Sequence, residues 1–374
     1  MKFPELSAIV LAGGFSRRMN GFKPLLRLGE DTFTGRTIAL FQDFDIPVIL
    51  VGGYRSEELF SAVLPRNVIT RINPEYARGM FSSICTGIAC IEPECRGFFL
   101  LPVDIPLIRP ATITRLIEAF EMKPDSIIYP VFNQRRGHPT LIPTHLIPHI
   151  LSWQGSGGLK AFLQQYENQA VEIPVADRFI IKDVDTPEDY QQLLQEYETY
   201  DIPDDEECRI ISEDICRVKP AIIAHGKMVA RIATVISQSL EEAGLIINSS
   251  LVQAAARLHD IAKGQPKHDA AGGRILTSLG FARVGNVVGV HTELSGGPVN
   301  LEAKIVYLAD KLVRGEQVVS LDKRYSISAE QYGKDPDIGV KVAERKQRAE
   351  ETASEIEALA GISLSEMLTG TVAI

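Results

Sequence analysis

The chain has 374 residues, 45% hydrophobic and 23% charged, with a formal charge of −9. That length exceeds what one hydrophobic core usually organises and predicts two domains, each large enough to bury a core. A net acidic chain argues against nucleic acid as a partner, which needs a basic face, whereas a nucleotide needs only local cations and backbone N–H groups.

Met1 to Leu11 carries one lysine, an early proline and a short apolar run, so no leader peptide is expected. No run approaches the ~20 apolar residues of a membrane helix, which predicts a cytoplasmic protein with no membrane partner. Ser7–Ala12, Pro47–Val51 and Phe98–Val103 are nearly continuous apolar runs, the pattern of parallel strands buried on both faces. Amphipathic helical stretches alternate with them at Arg36–Phe44, Glu57–Val63 and Ala111–Met122. The alternation predicts an α/β, doubly wound, Rossmann-like sheet over residues 1–198. Glu196 to Glu207 holds seven acids and no base, and residues 199–208 read as an exposed linker or frayed helix end. Over 209–374 the strand signal vanishes. Helices are expected over Pro220–Ala243, closed by Gly244, and over Ser250–Ile261, Ala270–Leu279, Leu301–Val313 and Ile338–Leu359, an all-α domain. The five cysteines form no C-x-x-C pair and read as free thiols.

The first strand runs directly into Leu11-Ala12-Gly13-Gly14-Phe15-Ser16-Arg17-Arg18, followed by Lys23-Pro24. Gly13 and Gly14 let the backbone approach a triphosphate, and Arg17, Arg18 and Lys23 supply positive charge. A lone glycine pair would be an ordinary turn. This one lies at the carboxyl end of a buried strand, where open α/β sheets bind ligands. The spacing matches neither G-x-G-x-x-G nor G-x-x-x-x-G-K-[ST]. Asp104 follows another buried strand in Pro102-Val103-Asp104-Ile105-Pro106. Asp185, in Asp183-Val184-Asp185-Thr186-Pro187, reads either as a helix cap or as the second carboxylate of a Mg²⁺ site.

L-A-G-G-x-S-x-R-M, the downstream K-P, P-V-D-I-P and D-V-D-T-P together resemble the MobA/MocA group of molybdopterin nucleotidyltransferases, over roughly residues 6–195. Asn73-Pro74-Glu75-Tyr76-Ala77-Arg78-Gly79-Met80-Phe81-Ser82-Ser83 and Gly137-His138-Pro139 resemble its cytidylyltransferase branch. The resemblance implies that Leu11, Ala12, Gly13, Gly14, Arg17 and Lys23 bind the triphosphate, with Lys23 also catalytic. It makes Asp104 and Asp185 catalytic Mg²⁺ ligands, turns Asn73, Gly79, Ser82 and Ser83 to the nucleotide or pterin, and puts His138 on the pterin side. Implied partners are CTP or GTP, a molybdopterin-type small molecule, and a molybdoenzyme or its maturation factor. Three departures stand out. Gly13 is the form of the guanylyltransferase branch, Asn20 replaces a usual glycine, and the family's G-D-x-G loop reads Gly155-Ser156-Gly157-Gly158.

His225, His259, His268 and His291 all fall in the helical half, with His259-Asp260-Ile261-Ala262-Lys263 and Ala309-Asp310-Lys311. One buried histidine is usually a satisfied core residue. Four with two aspartates suit Zn, Mn, Fe or Co between facing helices. The order H…HD…H…H…D resembles the HD phosphohydrolases over about residues 220–325. It implies His225, His259, Asp260 and Asp310 around one metal, with His268 and His291 completing a second site bridged by a catalytic Asp260. Lys263, Lys311 and Arg314 are either clamps for substrate phosphates or solvated charges. The expected function is therefore Mg²⁺-dependent nucleotide transfer, CMP favoured, joined to hydrolysis of a nucleotide phosphoester or phosphoanhydride. The alternative pairs GMP transfer, or transfer to another small phosphate, with an HD half that senses nucleotides without cleaving them.

Overall fold

The computed structural model describes residues 5–19, 21–63, 66–294, 299–332 and 336–369. The chain divides into two compact units, Met1–Tyr200 and Asp201–Ile374. No helix among the described residues is long and apolar enough to cross a membrane, and all five cysteines are free. Asn20 lies outside the described residues.

The first unit is built on an eight-stranded sheet. Its strands are β1 (Leu6–Ala12), β2 (Val48–Gly52), β3 (Ile69–Ile72), β4 (Gly97–Pro102), β5 (Ile127–Phe132), β6 (Thr140–Pro143) and β7 (Ala170–Pro174), with Arg135–Arg136 pairing beside β5. The order along the sheet is β7-β5-β6-β4-β1-β2-β3. Every residue of β1, β2 and β4 is buried, as continuous apolar runs require when helices cover both faces. Ile9, Leu11, Val51, Phe98 and Leu100 join Ile84 and Ile88 of α1 (Met80–Ile88) in one core. The doubly wound sheet is mixed: β6 runs antiparallel to both β4 and β5, and Arg135–Arg136 antiparallel to β5.

Register explains where the functional loops meet. Leu11 on β1 stands opposite both Val51 and Pro102, so the loops after β1 and β4 leave the same edge side by side. Because β6 is reversed, with Leu100 opposite Thr140, its beginning reaches that edge too and brings Gly137-His138 there. The carbonyl of Leu11 accepts from the N–H of Val103 (3.0 Å), and that of Asp104 accepts from the N–H of Val184 (3.0 Å). These bonds bring residues 183–185 to Asp104. Asp185 and Thr186 then lead into α2 (Pro187–Glu198).

The stretch expected as an exposed linker is partly helical. Asp204 and Glu207 cap α3 (Asp205–Ile210) reciprocally, and Glu207 is buried. The acids satisfy the free N–H groups of a helix start. The second unit then follows the five predicted helices, α4 (Pro220–Glu242), α5 (Ser249–Leu258), α6 (His268–Ser278), α8 (Leu301–Lys311) and α10 (Pro336–Ala360), and adds two that were not expected, α7 (Ala282–Val288) and α9 (Leu321–Tyr332). The all-α expectation misses a two-residue hairpin, Val313–Arg314 against Gln317–Val318. Gly226 makes the α4–α5 crossing tight, because a Cβ there would lie 2.5 Å from the carbonyl oxygen of Arg257. That approach sets His225 beside His259.

Candidate active sites

In the first unit the loop after β1 forms the floor of a cleft of about 480 Å³, lined by Leu11, Ala12, Gly13, Gly14, Arg17 and Lys23 together with Tyr76, Gly79, Ser83 and Asp104. At its mouth Lys23 Nζ lies 2.6 Å from Asp185 Oδ1 and 3.5 Å from Asp104 Oδ2. Arg18 Nη2 lies 2.5 Å from Asp185 Oδ2. Lys23 is anchored through its backbone, whose N–H donates to Ser16 Oγ (3.2 Å). Asp185 is therefore not the helix cap. Thr186 and Asp189 make the capping box of α2, which leaves the Asp185 carboxylate for Lys23 and Arg18.

The two carboxyls are tuned in opposite directions. Burial pushes Asp104 up, against the pull of Lys23. The hydrogen bond from Lys23 holds Asp185 below the usual carboxylate range. Two converging carboxylates already share one cation, and an all-oxygen donor pair suits a hard ion such as Mg²⁺.

Asn73 is buried and its amide is used within its own loop. Its Nδ2 donates to Ser82 Oγ (2.8 Å) and Ser83 Oγ (2.9 Å), and its Oδ1 accepts from the N–H of Glu75 (2.9 Å). Ser82 Oγ in turn donates to the carbonyl of Gly79 (2.8 Å). Asn73 and Ser82 thus shape the 73–83 loop from behind, while Gly79 and Ser83 face the cleft. Gly79 has φ +105, a conformation side chains rarely adopt, at the start of α1. Gly13 is under no such constraint, since a Cβ there would meet its neighbours at 3.4 Å or more.

A second cavity of about 1050 Å³ holds His138 with Tyr129, Arg136, Leu100, Thr140 and the Gly157–Gly158 turn, and shares Met80 with the cleft. Burial pushes His138 below its ordinary value, which keeps its imidazole neutral.

In the second unit all six predicted ligand residues meet. His225 Nε2 lies 3.2 Å from Asp310 Oδ1, and His259 Nε2 lies 3.4 Å from Asp260 Oδ2 and 3.6 Å from Asp310 Oδ1. The other oxygen of Asp260 faces His268 Nε2 (3.3 Å) and His291 Nε2 (3.8 Å). The ligand atoms of His225, His259 and Asp310, and those of His259, Asp260 and His291, form two groups each within 4.8 Å. Three imidazoles lie with Nδ1 against a backbone carbonyl: His225 with Gly315 (2.8 Å), His259 with Ala256 (2.8 Å) and His291 with Val288 (2.7 Å). Donation there fixes the tautomer that leaves each Nε2 lone pair facing the cluster, as metal-ligating histidines are held. His259 Nε2 is buried with no hydrogen-bond partner. That unsatisfied atom and the mixed nitrogen and oxygen donors fit a borderline divalent metal.

Burial would lower His259, but the Asp260 and Asp310 carboxylates outweigh it and hold it above its ordinary value. Burial of Asp260 is likewise outweighed by His259, His268 and His291, which hold its carboxyl far below the usual range.

Lys263 pairs with Asp260, and Lys311 is buried with its Nζ 2.6 Å from Asp310 Oδ2. Arg314 is exposed at the rim of a pocket of about 310 Å³ beside His225. Sequence reasoning missed Arg324, whose Nη1 donates to the carbonyls of Asp310 (2.9 Å) and Val313. It also missed Thr292, whose hydroxyl donates to Asp269 and ties the segments carrying His268 and His291. Thr292 directly follows His291 in the HD-like order, whereas Arg324 lies outside every motif.

Residues 8–171 match the family described as MobA-like NTP transferase domain, and residues 222–315 match the HD domain. The chain is 29% identical over 193 residues to the molybdenum cofactor cytidylyltransferase of Escherichia coli K12, an alignment covering 51% of this chain and 97% of that protein. It is 27% identical over 196 residues to a probable molybdenum cofactor guanylyltransferase of Synechococcus elongatus, covering 50% of this chain and 98% of that protein. Among solved structures, that of Rv0371c from Mycobacterium tuberculosis H37Rv is 25% identical, covers 51% of this chain and 98% of that one, and superposes with a TM-score of 0.46. The chain is an enzyme that joins a MobA-like NTP transferase domain, on a mixed, mainly parallel α/β sheet, to a mostly helical HD domain.

Proposed function

We propose that the first unit transfers a nucleotide, CMP in preference to GMP, from its triphosphate to a molybdopterin-type phosphate and releases pyrophosphate. The observation that carries this is the pair Asp104 and Asp185, held around one ammonium at the mouth of a glycine-floored cleft. Their carboxylates would hold Mg²⁺, which would supply positive charge against the charge that develops on the phosphates. The Gly13 and Gly14 N–H groups and Arg17, Arg18 and Lys23 bind and orient the triphosphate. The cavity around His138 receives the acceptor, with the neutral imidazole available for hydrogen bonding. Catalysis here is chiefly positioning and electrostatics.

Cytosine is favoured because the 73–83 and 137–139 segments line the cleft and the adjoining cavity. Gly13, the residue that leans toward guanine, fills no steric need. The second unit is read as a metal-dependent phosphohydrolase, with His225, His259, Asp260, His268, His291 and Asp310 as ligands. Such a metal supplies a hydroxide near neutral pH when bound. The test supplies full-length protein with molybdopterin acceptor, Mg²⁺ and equal CTP and GTP. Preferential formation of the cytosine dinucleotide supports the reading, and a clear GTP preference refutes the base choice. Absence of any dinucleotide refutes the transferase reading itself.

A further inference from the structure

Beside the histidine–aspartate cluster lies the pocket of about 310 Å³, walled by Ala221, Ile222 and His225 of α4, by Lys263, by the hairpin at Val313–Gly315, and by Arg324 and Ser328 of α9. Three cations line it, and no acidic side chain and no phenyl, phenol or indole ring does so among the described residues. Lys263 reaches it while pairing with Asp260, and Arg324 while holding the backbone at Asp310 and Val313, so both bases are fixed at the edge of the cluster. Arg314 has no acidic partner among the described residues and stands open to a ligand.

The first unit provides the contrast within the same chain. Its cleft is about 480 Å³, opens beside a cavity of about 1050 Å³, and carries Phe15 and Tyr76 with ring centroids 5.1 Å apart. A base is commonly held by stacking on such rings. The pocket of the second unit has the charge for a compact polyanion and, among the described residues, none of the ring surface on which a base would stack. Its volume sits at the lower end, roughly 300 Å³, of pockets that hold small ligands.

We infer that the HD unit hydrolyses inorganic pyrophosphate, the small phosphoanhydride that nucleotidyl transfer releases. The inference rests on the reading of this unit as a metal-dependent hydrolase and goes further by naming its substrate. Water oxygen bonds to one phosphorus and the bridging P–O bond breaks. Its electron pair stays on the departing phosphate, and the proton lost by water goes to that phosphate or to solvent. Lys263, Arg314 and Arg324 bind the outer oxygens and stabilise the charge that grows on the departing group. Nucleotidyl transfer exchanges one phosphoanhydride for another and therefore runs close to balance. Removing pyrophosphate in the same polypeptide pulls the first unit's reaction toward its product.

The experiment uses the full chain loaded with Mn²⁺ and measures phosphate released from pyrophosphate, and by chromatography the cleavage of CTP, CMP and diadenosine tetraphosphate. The expected kcat/KM for pyrophosphate exceeds that for each nucleotide by at least about tenfold, because a charged pocket rejects groups it cannot pair. His259→Ala should abolish release. Arg314→Ala, at an exposed position, should raise KM and lower kcat/KM for pyrophosphate about tenfold, the loss expected of one charged hydrogen bond. Equal or faster cleavage of any nucleotide overturns the inference and leaves the hydrolase reading standing. An unchanged KM in Arg314→Ala overturns the assignment of the pocket. No cleavage of any of the four compounds, in protein shown to hold metal, removes both.

Discussion

Replacing Asp104 by Asn separates stability from chemistry. The carboxylate lies 3.5 Å from Lys23 Nζ, an attraction of about 5 kcal/mol at an effective dielectric near ~20. Burial still outweighs it, because the carboxyl is pushed above its ordinary value of 3.8. A carboxyl raised in the folded state contributes stability below its unfolded value, and that contribution is lost as pH rises through the folded value. At neutral pH, without divalent ions, ionised Asp104 therefore costs stability, and Asn relieves the cost. Asp104→Asn should melt higher than wild type at pH 7 in a chelator, and the gain should vanish as pH falls toward 3.8. In the proposed transfer the same change removes a charge beside the transferred nucleotidyl group. Transfer should fall by ~10²–10³, equivalent to roughly 3–4 kcal/mol of transition-state stabilisation. Scanning fluorimetry across pH and a dinucleotide-formation assay read the two effects. A lower melting temperature at pH 7 with wild-type-like turnover would refute the reasoning.

Other substitutions probe the supports of the two sites. Asp177→Ala removes the carboxylate that the wholly buried Arg109 meets at 3.0 Å and should cost the first unit about 3 kcal/mol in denaturant unfolding. Gly226→Ala drives a methyl toward the carbonyl of Arg257 and should cost about 2 kcal/mol. Separating His225 from His259 in this way should also lower the metal content of purified protein, read by elemental analysis. Gly13→Ala meets only ordinary contacts, so its stability should stay within about 0.5 kcal/mol of wild type. Its CTP-to-GTP ratio of kcat/KM should rise if position 13 reads the base.

The parts legible in sequence were those with a local signature. Continuous apolar runs gave β1, β2 and β4 because those strands are buried on both faces. The strands β3, β5, β6 and β7 escaped notice. The edge strand β3 is only partly covered, Pro130 interrupts β5, and Pro143 and Pro174 end the short strands β6 and β7. The first turn of Phe33–Gln42 was also missed, because its start depends on Thr32 accepting from the N–H of Gly35 and not on an apolar pattern. Among site residues, Asp104, Asp185 and the six HD positions could be named from motif order. That the Asn73 amide is consumed by Ser82, Ser83 and Glu75 could not, since the loop's closure depends on its three-dimensional path. Arg324 reaches Asp310 only because α9 folds back over the hairpin, a contact with no periodicity to announce it.

The proposed nucleotidyl transfer depends most on an ion between Asp104 and Asp185. Crystals of the full chain grown with Mn²⁺ and a non-hydrolysable CTP analogue, measured at the manganese absorption edge, test this directly. The predicted result is an anomalous peak in contact with both carboxylates and with phosphate oxygens, with the Lys23 ammonium no longer between them. An ordered triphosphate in the glycine-floored cleft, with no manganese on either Asp104 or Asp185, would contradict it.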